Sequence, residues 1–261
     1  MAWFGFTSTA RWMRSQRGYS VCAVCHAWPA QPICSPCIER FAQPLARCPV
    51  CALPGHAHPC PACLQHPPAW ARSLCAVSYG YPWDACLARF KFEGDSAMGR
   101  SLAHVMLHAP GLEPALERAQ WLIPMPLSPQ RLRQRGFNQT LVLARHLAQG
   151  KTLAQALLRT RDTAPQASLP KAQRLQNVAG TMAVNPRHAQ ALNGCRVVLL
   201  DDVMTTGSSL QAAALALRQV GVGHITVMVF ARTDAPRMGA STASVAVGEN
   251  AAHVSHRFGS P

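Results

Sequence analysis

The segment Val197-Val198-Leu199-Leu200-Asp201-Asp202-Val203-Met204-Thr205-Thr206-Gly207-Ser208-Ser209 joins an apolar run to two acidic residues and a Thr-Thr-Gly turn. Its apolar start predicts a buried strand, and the residues after Gly207 predict a helix that opens directly after that glycine. Open α/β sheets bind their ligands at the carboxyl ends of the strands. Free backbone N–H groups, hydroxyls and the positive end of the helix dipole therefore predict a binding cup for a phosphate monoester at this junction.

The acid pair Asp201 and Asp202 needs a different role, because two carboxylates beside such a cup repel a phosphate. Carboxylates accept hydrogen bonds from vicinal ribose hydroxyls and hold the water shell of a magnesium ion. A ribose 5-phosphate group satisfies both requirements, and the pattern resembles that of type I phosphoribosyltransferases. The resemblance implies that the acid pair is catalytic and that 5-phosphoribosyl 1-pyrophosphate (PRPP) is bound by Asp201, Asp202, Thr205, Thr206, Gly207, Ser208 and Ser209. The alternative is a strand that ends in a solvated acidic turn.

Strands and helices alternate around this stretch. The sequence predicts strands over 74–79, 121–123, 196–200 and 225–230, and helices over 82–91, 97–108, 137–148 and 208–220. This order predicts an α/β domain over residues 67–234, with a mostly parallel sheet flanked by helices, beginning at the Pro67-Pro68 linker. We expect an N-terminal extension over residues 1–20 and a disordered tail over residues 235–261.

The cysteines are concentrated near the start of the chain, where eight of the eleven form four CxxC pairs between positions 22 and 63. Adding 26 to any cysteine of the first two pairs gives a cysteine of the second two, which indicates an internal duplication. Two CxxC turns supply the four thiolates of a tetrahedral zinc site. The repeat predicts two zinc sites, one formed by Cys22, Cys25, Cys34 and Cys37 and the other by Cys48, Cys51, Cys60 and Cys63. A cross-braced pairing of the CxxC turns stays open.

Disulfides and a redox-active CxxC are the alternatives to zinc. A cytosolic address argues against disulfides, and a redox motif needs only one copy. Segment 21–66 is short and rich in Pro, so metal binding is expected to supply the folding free energy of this double zinc ribbon. We expect the neighbouring histidines to lie in loops and the other cysteines to be small buried side chains: His26, His56, His58, His66, and Cys75, Cys86, Cys195.

The composition is basic, with 25 Lys and Arg against 11 Asp and Glu and a formal charge of +14. Two four-thiolate zinc sites lower this charge to about +10. Such an excess favours contact with polyphosphates or nucleic acid. No stretch approaches the roughly 20 apolar residues of a membrane span, and the first residues lack the charge order of a secretory signal. We therefore expect a cytoplasmic protein without membrane insertion.

Four CxxC pairs followed by a Thr-Thr-Gly loop resemble the ComF family, whose members are associated with DNA uptake in natural competence or with DNA as a nutrient. The segment Pro124-Met125-Pro126-Leu127 agrees, as do Arg131 and the run Arg135-Gly136-Phe137-Asn138-Gln139. Further matches lie between this segment and the loop, at Arg159, Arg161, Gln166, Arg174 and Asn177. The resemblance covers about residues 22–233 and implies a pyrophosphate contact by Arg133 or Arg135. Asn138 and Gln139 can equally be structural residues.

Thr205 departs from the pattern of purine-salvage members, which carry an acidic base at that position. Its presence argues against hypoxanthine or guanine transfer, although magnesium and arginines can still stabilise departing pyrophosphate. One hypothesis is therefore an enzyme that transfers phosphoribosyl from PRPP. Another is a non-catalytic single-stranded DNA-binding protein or adaptor of the competence machinery, with Arg131, Arg133 and Arg135 on the DNA backbone. In a third, the zinc module docks other DNA-uptake proteins.

Overall fold

The computed structural model of the chain describes residues 20–160 and 181–234. The N-terminal extension apart from Ser20, the C-terminal tail, and the matches at Arg161, Gln166, Arg174 and Asn177 lie outside these residues. Within them, no helix combines the length and the apolar character needed to cross a membrane.

A parallel sheet of four strands forms the centre of the protein, in the order β1-β6-β5-β2. The strands are β1 (Arg72–Ser78), β2 (Trp121–Pro124), β5 (Arg196–Met204) and β6 (His224–Arg232). A separate antiparallel pair is formed by β3 (Leu157–Arg159) and β4 (Met182–Val184). The sheet confirms the predicted fold class; the short pair β3–β4 was not predicted.

Helices cover both faces of the sheet, as burial of parallel strands requires. In chain order they are α1 (Ser35–Phe41), α2 (Pro61–Gln65), α3 (Trp83–Phe92), α4 (Ser96–His108), α5 (Leu112–Arg118), α6 (Pro129–Arg135), α7 (Gln139–Ala148), α8 (Pro186–Leu192) and α9 (Ser208–Gln219), with a 3-10 turn at Gln149–Lys151. One core packs α3, α4, α5 and α7 against Val198, Leu200 and Phe230. The other packs α8, α9 and the pair β3–β4 against the opposite face.

Strand β5 is longer than the sequence predicts. We expected it to end at Leu200, but its pairing with β6 continues through Asp201, Val203 and Met204. The acid pair therefore lies inside the strand, where successive side chains point to opposite faces of the sheet. The carboxylates interrupt the apolar pattern, but their backbone groups still complete the hydrogen-bond ladder.

The cysteine-rich segment consists of two copies of one turn-and-helix unit. His26 and Ala52, 26 residues apart, each follow the second cysteine of a CxxC turn and have positive φ angles of 59° and 58°. The backbone N–H of His26 donates to Cys22 O at 3.0 Å, and that of Ala52 donates to Cys48 O at 2.8 Å. The same backbone path in both copies confirms the duplication that the cysteine spacing indicates.

Both copies pack against the sheet domain. In the second copy, Pro49 O accepts from the backbone N–H of Ser73 at the start of β1 at 2.8 Å. Val50 O accepts from the indole Nε1 of Trp70 at 2.7 Å and from Ser73 Oγ at 2.6 Å. In the first copy, Ile33 and Ile38 join the core beneath α3. The ribbon is thus a layer of the folded protein, joined to it by backbone acceptors and by apolar contacts.

The three cysteines outside the ribbon differ in burial. Cys86 and Cys195 are buried, as predicted, whereas Cys75 is half-buried. The Cys75 thiol donates to Val77 O at 3.1 Å.

Candidate functional site

The structure brings together the four cysteines of each copy, and within each group all sulfurs lie within 4.8 Å of one another. The sulfurs of Cys22 and Cys37 are 3.9 Å apart, those of Cys25 and Cys34 3.7 Å, and those of Cys51 and Cys60 3.7 Å. A tetrahedron with metal–sulfur bonds of about 2.3 Å has edges of about 3.8 Å. Each group could therefore hold one zinc ion, with its ligands taken from one copy rather than cross-braced.

Backbone donors prepare one sulfur of each group to be a thiolate. Cys22 Sγ accepts from the N–H groups of Val24 at 3.5 Å and Cys34 at 3.4 Å, and Cys48 Sγ accepts from that of Cys60 at 3.3 Å. Burial raises the pKa of both thiols, but these donors more than offset it and lower the pKa of Cys22 to about 6 and that of Cys48 to about 7. A metal that requires thiolates, such as zinc, fits this donor set.

The second site lies where β5 ends and α9 begins. A cavity of about 60 Å³ is lined there by Asp201, Val203 and residues 204–210. Gly207, with φ of 78°, is the N-cap residue of α9. Because glycine has no side chain, this residue provides no side-chain cap for the helix. Thr206 Oγ1 and Ser208 Oγ lie 2.8 Å apart at the same turn. The loop therefore presents backbone donors and two hydroxyls at the positive end of a helix of 12 residues.

Asp202 is a buried residue, with 6% of its surface exposed. Its Oδ2 accepts from Lys91 Nζ at 2.9 Å and from Gln139 Nε2 at 2.9 Å. Lys91, on α3, was not predicted from the sequence. The sequence feature that could have indicated its role is its place between Phe90 and Phe92, on a helix that must bury one face.

Asp201 faces the loop cavity instead, and its Oδ1 accepts from the backbone N–H of Asp202 at 2.9 Å. Burial, and then the neighbouring Asp202 carboxylate, raise the pKa of Asp201 to about 8. The ionised form of this carboxyl group is therefore disfavoured in the ligand-free protein. A ligand that binds the carboxylate has to displace the proton of the protonated form.

Asn138 and Gln139 have different roles. Asn138 is the N-cap of α7: its Oδ1 accepts from the N–H groups of Thr140 and Leu141 at 3.0 and 3.3 Å. Its Nδ2 donates to Met125 O at 3.1 Å, which holds the Pro124–Pro126 segment against the helix. Gln139 contacts Asp202, and its Oε1 is buried without a hydrogen-bond partner. Asn138 is thus a structural residue, whereas Gln139 belongs to the site.

The two arginines predicted for pyrophosphate lie near the end of α6. Arg135 is half-buried, with its guanidinium 5.1 Å from the centre of the Phe92 ring. Burial lowers the pKa of Arg135, and the charge of Asp202 opposes that effect. Arg135 therefore lies within electrostatic reach of the acid pair, whereas Arg133 is exposed to solvent.

Arg232, a further residue that the sequence did not predict, connects the loop to the second cysteine group. Only 7% of its surface is exposed, and its Nη1 donates to Met204 O at 3.1 Å, Thr205 O at 2.5 Å and Thr233 O at 2.7 Å. Its Nε donates to Cys51 O at 3.0 Å. The only signal in the sequence was an arginine at the end of an apolar strand.

Comparisons with known proteins bear on both halves of the chain. A model described as "Phosphoribosyl transferase domain" matches residues 138–247. The DNA utilization protein YhgH of Escherichia coli (strain K12) is 33% identical over 210 residues, which cover 77% of this chain and 90% of that protein. Competence protein F of Haemophilus influenzae is 31% identical over 185 residues, covering 68% and 80% of the two chains. Competence protein ComFC of Bacillus subtilis (strain 168) is 25% identical over 201 residues, covering 74% and 80%.

Proposed function

Because the chain belongs to the ComF family, we propose that it binds PRPP, or another ligand with a ribose 5-phosphate group, together with magnesium, in DNA uptake or DNA utilisation. One observation carries the proposal. The cavity at the start of α9 is lined both by the carboxyl group of Asp201 and by the Thr205–Ser209 loop, and the N-cap residue of α9 provides no side-chain cap. A sugar phosphate needs both an anion cup and a hydroxyl acceptor.

The 5-phosphate would occupy the loop. Backbone N–H groups at a helix start bind phosphate oxygens, and the helix dipole favours the negative charge. The Thr206 and Ser208 hydroxyls, which contact each other at 2.8 Å in the free protein, can rotate to donate to the same oxygens. Gly207 allows the backbone to approach the ligand at a φ that other residues rarely adopt.

The ribose and magnesium would lie beside Asp201. Magnesium prefers carboxylate and water oxygens, and Asp201 offers a carboxylate at the cavity wall. Asp202 fits a metal less well, because Lys91 and Gln139 already occupy its Oδ2. Magnesium, when bound, would neutralise charge on the pyrophosphate. The role of Asp201 is to accept from a ribose hydroxyl or a metal-bound water, in its ionised form.

The pyrophosphate would lie on the Asp202 side of the site, where cationic side chains can bind its negative charge. Lys91 and Arg135 lie there, and an arginine fork can bind phosphate oxygens in pairs. In a transfer reaction the ribosyl C1–O bond breaks, pyrophosphate leaves with the bonding electron pair, and the acceptor forms the new bond to C1 as it loses its proton. Thr205 supplies no base for that proton, so the acceptor would be one that needs little base catalysis.

Calorimetric titration of the zinc-loaded full chain with PRPP and magnesium tests the proposal. We expect saturable binding that is lost in Asp201→Asn. A matched control is Glu113→Gln, which removes an exposed carboxylate on α5 and should bind like the unmodified chain. Absence of binding by unmodified protein that circular dichroism shows to be folded contradicts the proposal.

A second candidate function is binding of single-stranded DNA, as an adaptor of the uptake machinery. The net charge of +14 favours it, together with Arg131 and Arg133, which are exposed on α6. Backbone contacts of this kind weaken steeply with salt. Fluorescence anisotropy of a labelled oligonucleotide with Arg131→Gln/Arg133→Gln tests this candidate, and affinity that does not change with salt argues against it.

A further inference from the structure

Cations converge at the amino ends of the strands, at the opposite end of the sheet from Asp201. Arg196 on β5 is the register partner of His224 on β6, and Arg72 on β1 is the partner of Thr226. Register partners in a parallel sheet share a face, and so do residues two apart along a strand. The parallel pairing therefore places all four side chains on one face of the sheet.

Helix α5 closes this group into a pocket. A cavity of about 40 Å³ lies between the strands and the helix, where Ala115 and Ala119 leave room and Arg118 adds a third guanidinium. We call it the amino-end pocket. In the described part of the chain no acidic side chain lines it, and the guanidinium groups of Arg72, Arg118 and Arg196 form neither ion pairs nor hydrogen bonds.

The surroundings add positive charge to the pocket. Lys151 Nζ donates to Leu116 O at 3.0 Å, Glu117 O at 2.8 Å and Ala119 O at 3.0 Å, and so caps the carboxyl end of α5. The carbonyl dipole at that helix end is therefore countered by an ammonium group. Burial, and then Arg196, Arg218 and Arg72, lower the pKa of His224. The imidazole thus experiences the field of several arginines at once.

Arg72, Arg118 and Arg196 are exposed side chains that line one cavity, so their positive charges act together on an anion that enters it. We propose that the amino-end pocket binds a phosphate group, held by the forks of Arg72, Arg118 and Arg196. Guanidinium forks match phosphate oxygens in pairs, and Arg is the residue best suited to this geometry. The cavity is small and open, so it takes the phosphate itself and leaves the rest of the ligand outside.

This phosphate cannot be the one proposed for the Thr205–Ser209 loop. Strand β5 runs from Arg196 to Met204, and eight steps of about 3.3 Å separate the two ends by about 26 Å. The pocket therefore serves a second phosphate, which belongs either to a nucleic-acid backbone or to a free phosphate. The proposal does not depend on PRPP binding.

The test compares two triple variants of the zinc-loaded full chain in magnesium-free buffer. Arg72→Gln/Arg118→Gln/Arg196→Gln removes the pocket, and Arg100→Gln/Arg145→Gln/Arg187→Gln removes the same charge from exposed arginines elsewhere. One arm measures anisotropy of fluorescein-labelled single-stranded (dT)20, and the other measures inorganic phosphate by calorimetry. Thermal unfolding of each variant checks its fold, and Arg118→Gln alone serves if the triple variant is unstable.

If the phosphate belongs to nucleic acid, the pocket variant should bind (dT)20 about tenfold more weakly than the control. Its salt dependence should also be shallower, by about 0.7 in log–log slope for each phosphate that the variant no longer neutralises. If it is a free phosphate, the two variants should bind (dT)20 alike, and only the pocket variant should lose the heat of phosphate binding. Either result supports the site. The proposal is overturned if both variants weaken the binding of both probes equally, or if the pocket variant changes the binding of neither probe. These arginines would then be ordinary solvated surface residues.

Discussion

Replacing Arg232 with Met removes the connection between the second cysteine group and the loop at the end of β5. The guanidinium donates to carbonyl oxygens of Met204, Thr205, Thr233 and Cys51. Met204 O also accepts from the N–H of Thr233, so it keeps a partner after the substitution. The carbonyls of Thr205, Thr233 and Cys51 lose the hydrogen bond that the structure gives them.

The size of the effect follows from these three acceptors. Each of these part-buried hydrogen bonds contributes about 1 kcal/mol net, so Arg232→Met should lower the free energy of unfolding by about 3 kcal/mol. For a protein of this size that corresponds to a fall in Tm of roughly 6 to 12 °C. The freed loop must also be ordered when a ligand binds. At about 1 kcal/mol per backbone residue for Thr205, Thr206 and Gly207, PRPP affinity should fall about a hundredfold.

Calorimetric titration with PRPP and magnesium, beside thermal unfolding, measures both effects. Arg218→Met is the comparison, because Arg218 donates to the carbonyls of Ala69, Val222 and Gly223 at the other end of the sheet. Arg218 is more exposed, so its loss should cost less stability, and PRPP affinity should stay within about threefold of the unmodified chain. An Arg232→Met protein that loses stability but keeps its PRPP affinity refutes the reasoning, because the loop would then be held by the sheet alone.

Three further results are expected. Elemental analysis of purified protein should give two zinc ions per chain, and one ion or none contradicts the two-site prediction. A strong chelator that removes the zinc should unfold the cysteine-rich segment, which faster amide hydrogen exchange in that segment would show. The affinity for PRPP with magnesium should rise with pH up to about 8, by at most about tenfold per unit, because binding must displace the proton of Asp201, whose pKa burial and Asp202 raise to about 8. An affinity that stays constant between about pH 6 and pH 8, apart from the titration of the ligand's own phosphates, would contradict this role of Asp201. Gly207→Ala should lower stability by about 1 to 2 kcal/mol, because φ of 78° is strained for any residue with a side chain, and unaltered unfolding would mean that the turn relaxes freely.

The sequence predicted the parallel sheet and its four longest helices because each is long enough to show an apolar period. It missed β3 and β4, because three residues show no period, and no pair of prolines bounds these strands as Pro124 and Pro126 bound the equally short predicted strand over 121–123. The predicted β5 ended at Leu200 because acidic residues usually indicate the protein surface. Strand pairing involves only backbone groups, however, and it continues through the acidic residues. Cysteine spacing alone predicted the grouping of the ribbon, because CxxC geometry is local.

Less of the site than of the fold could be predicted. The Thr205–Ser209 loop follows from local sequence, but Lys91 lies 111 residues from Asp202 and contacts it only in the folded chain. Arg232 donates to main-chain oxygens, and those partners carry no residue-type signal. Arg72, Arg196 and His224 are brought together by strand register, which a single sequence does not specify for a parallel sheet.

The hydrogen bond between Pro49 O and the start of β1 has a consequence for how this chain can be divided. In the described part of the chain β1 is an outer strand, paired with β6 on one side only. An uncovered outer strand is a template for pairing with other chains and so for aggregation, and here a turn of the cysteine-rich segment lies over its start. Removing residues 20–66 would bare that edge. Insolubility of such a shortened chain would therefore report the removal of a protective cover, and it would carry no information about partners that dock on the ribbon.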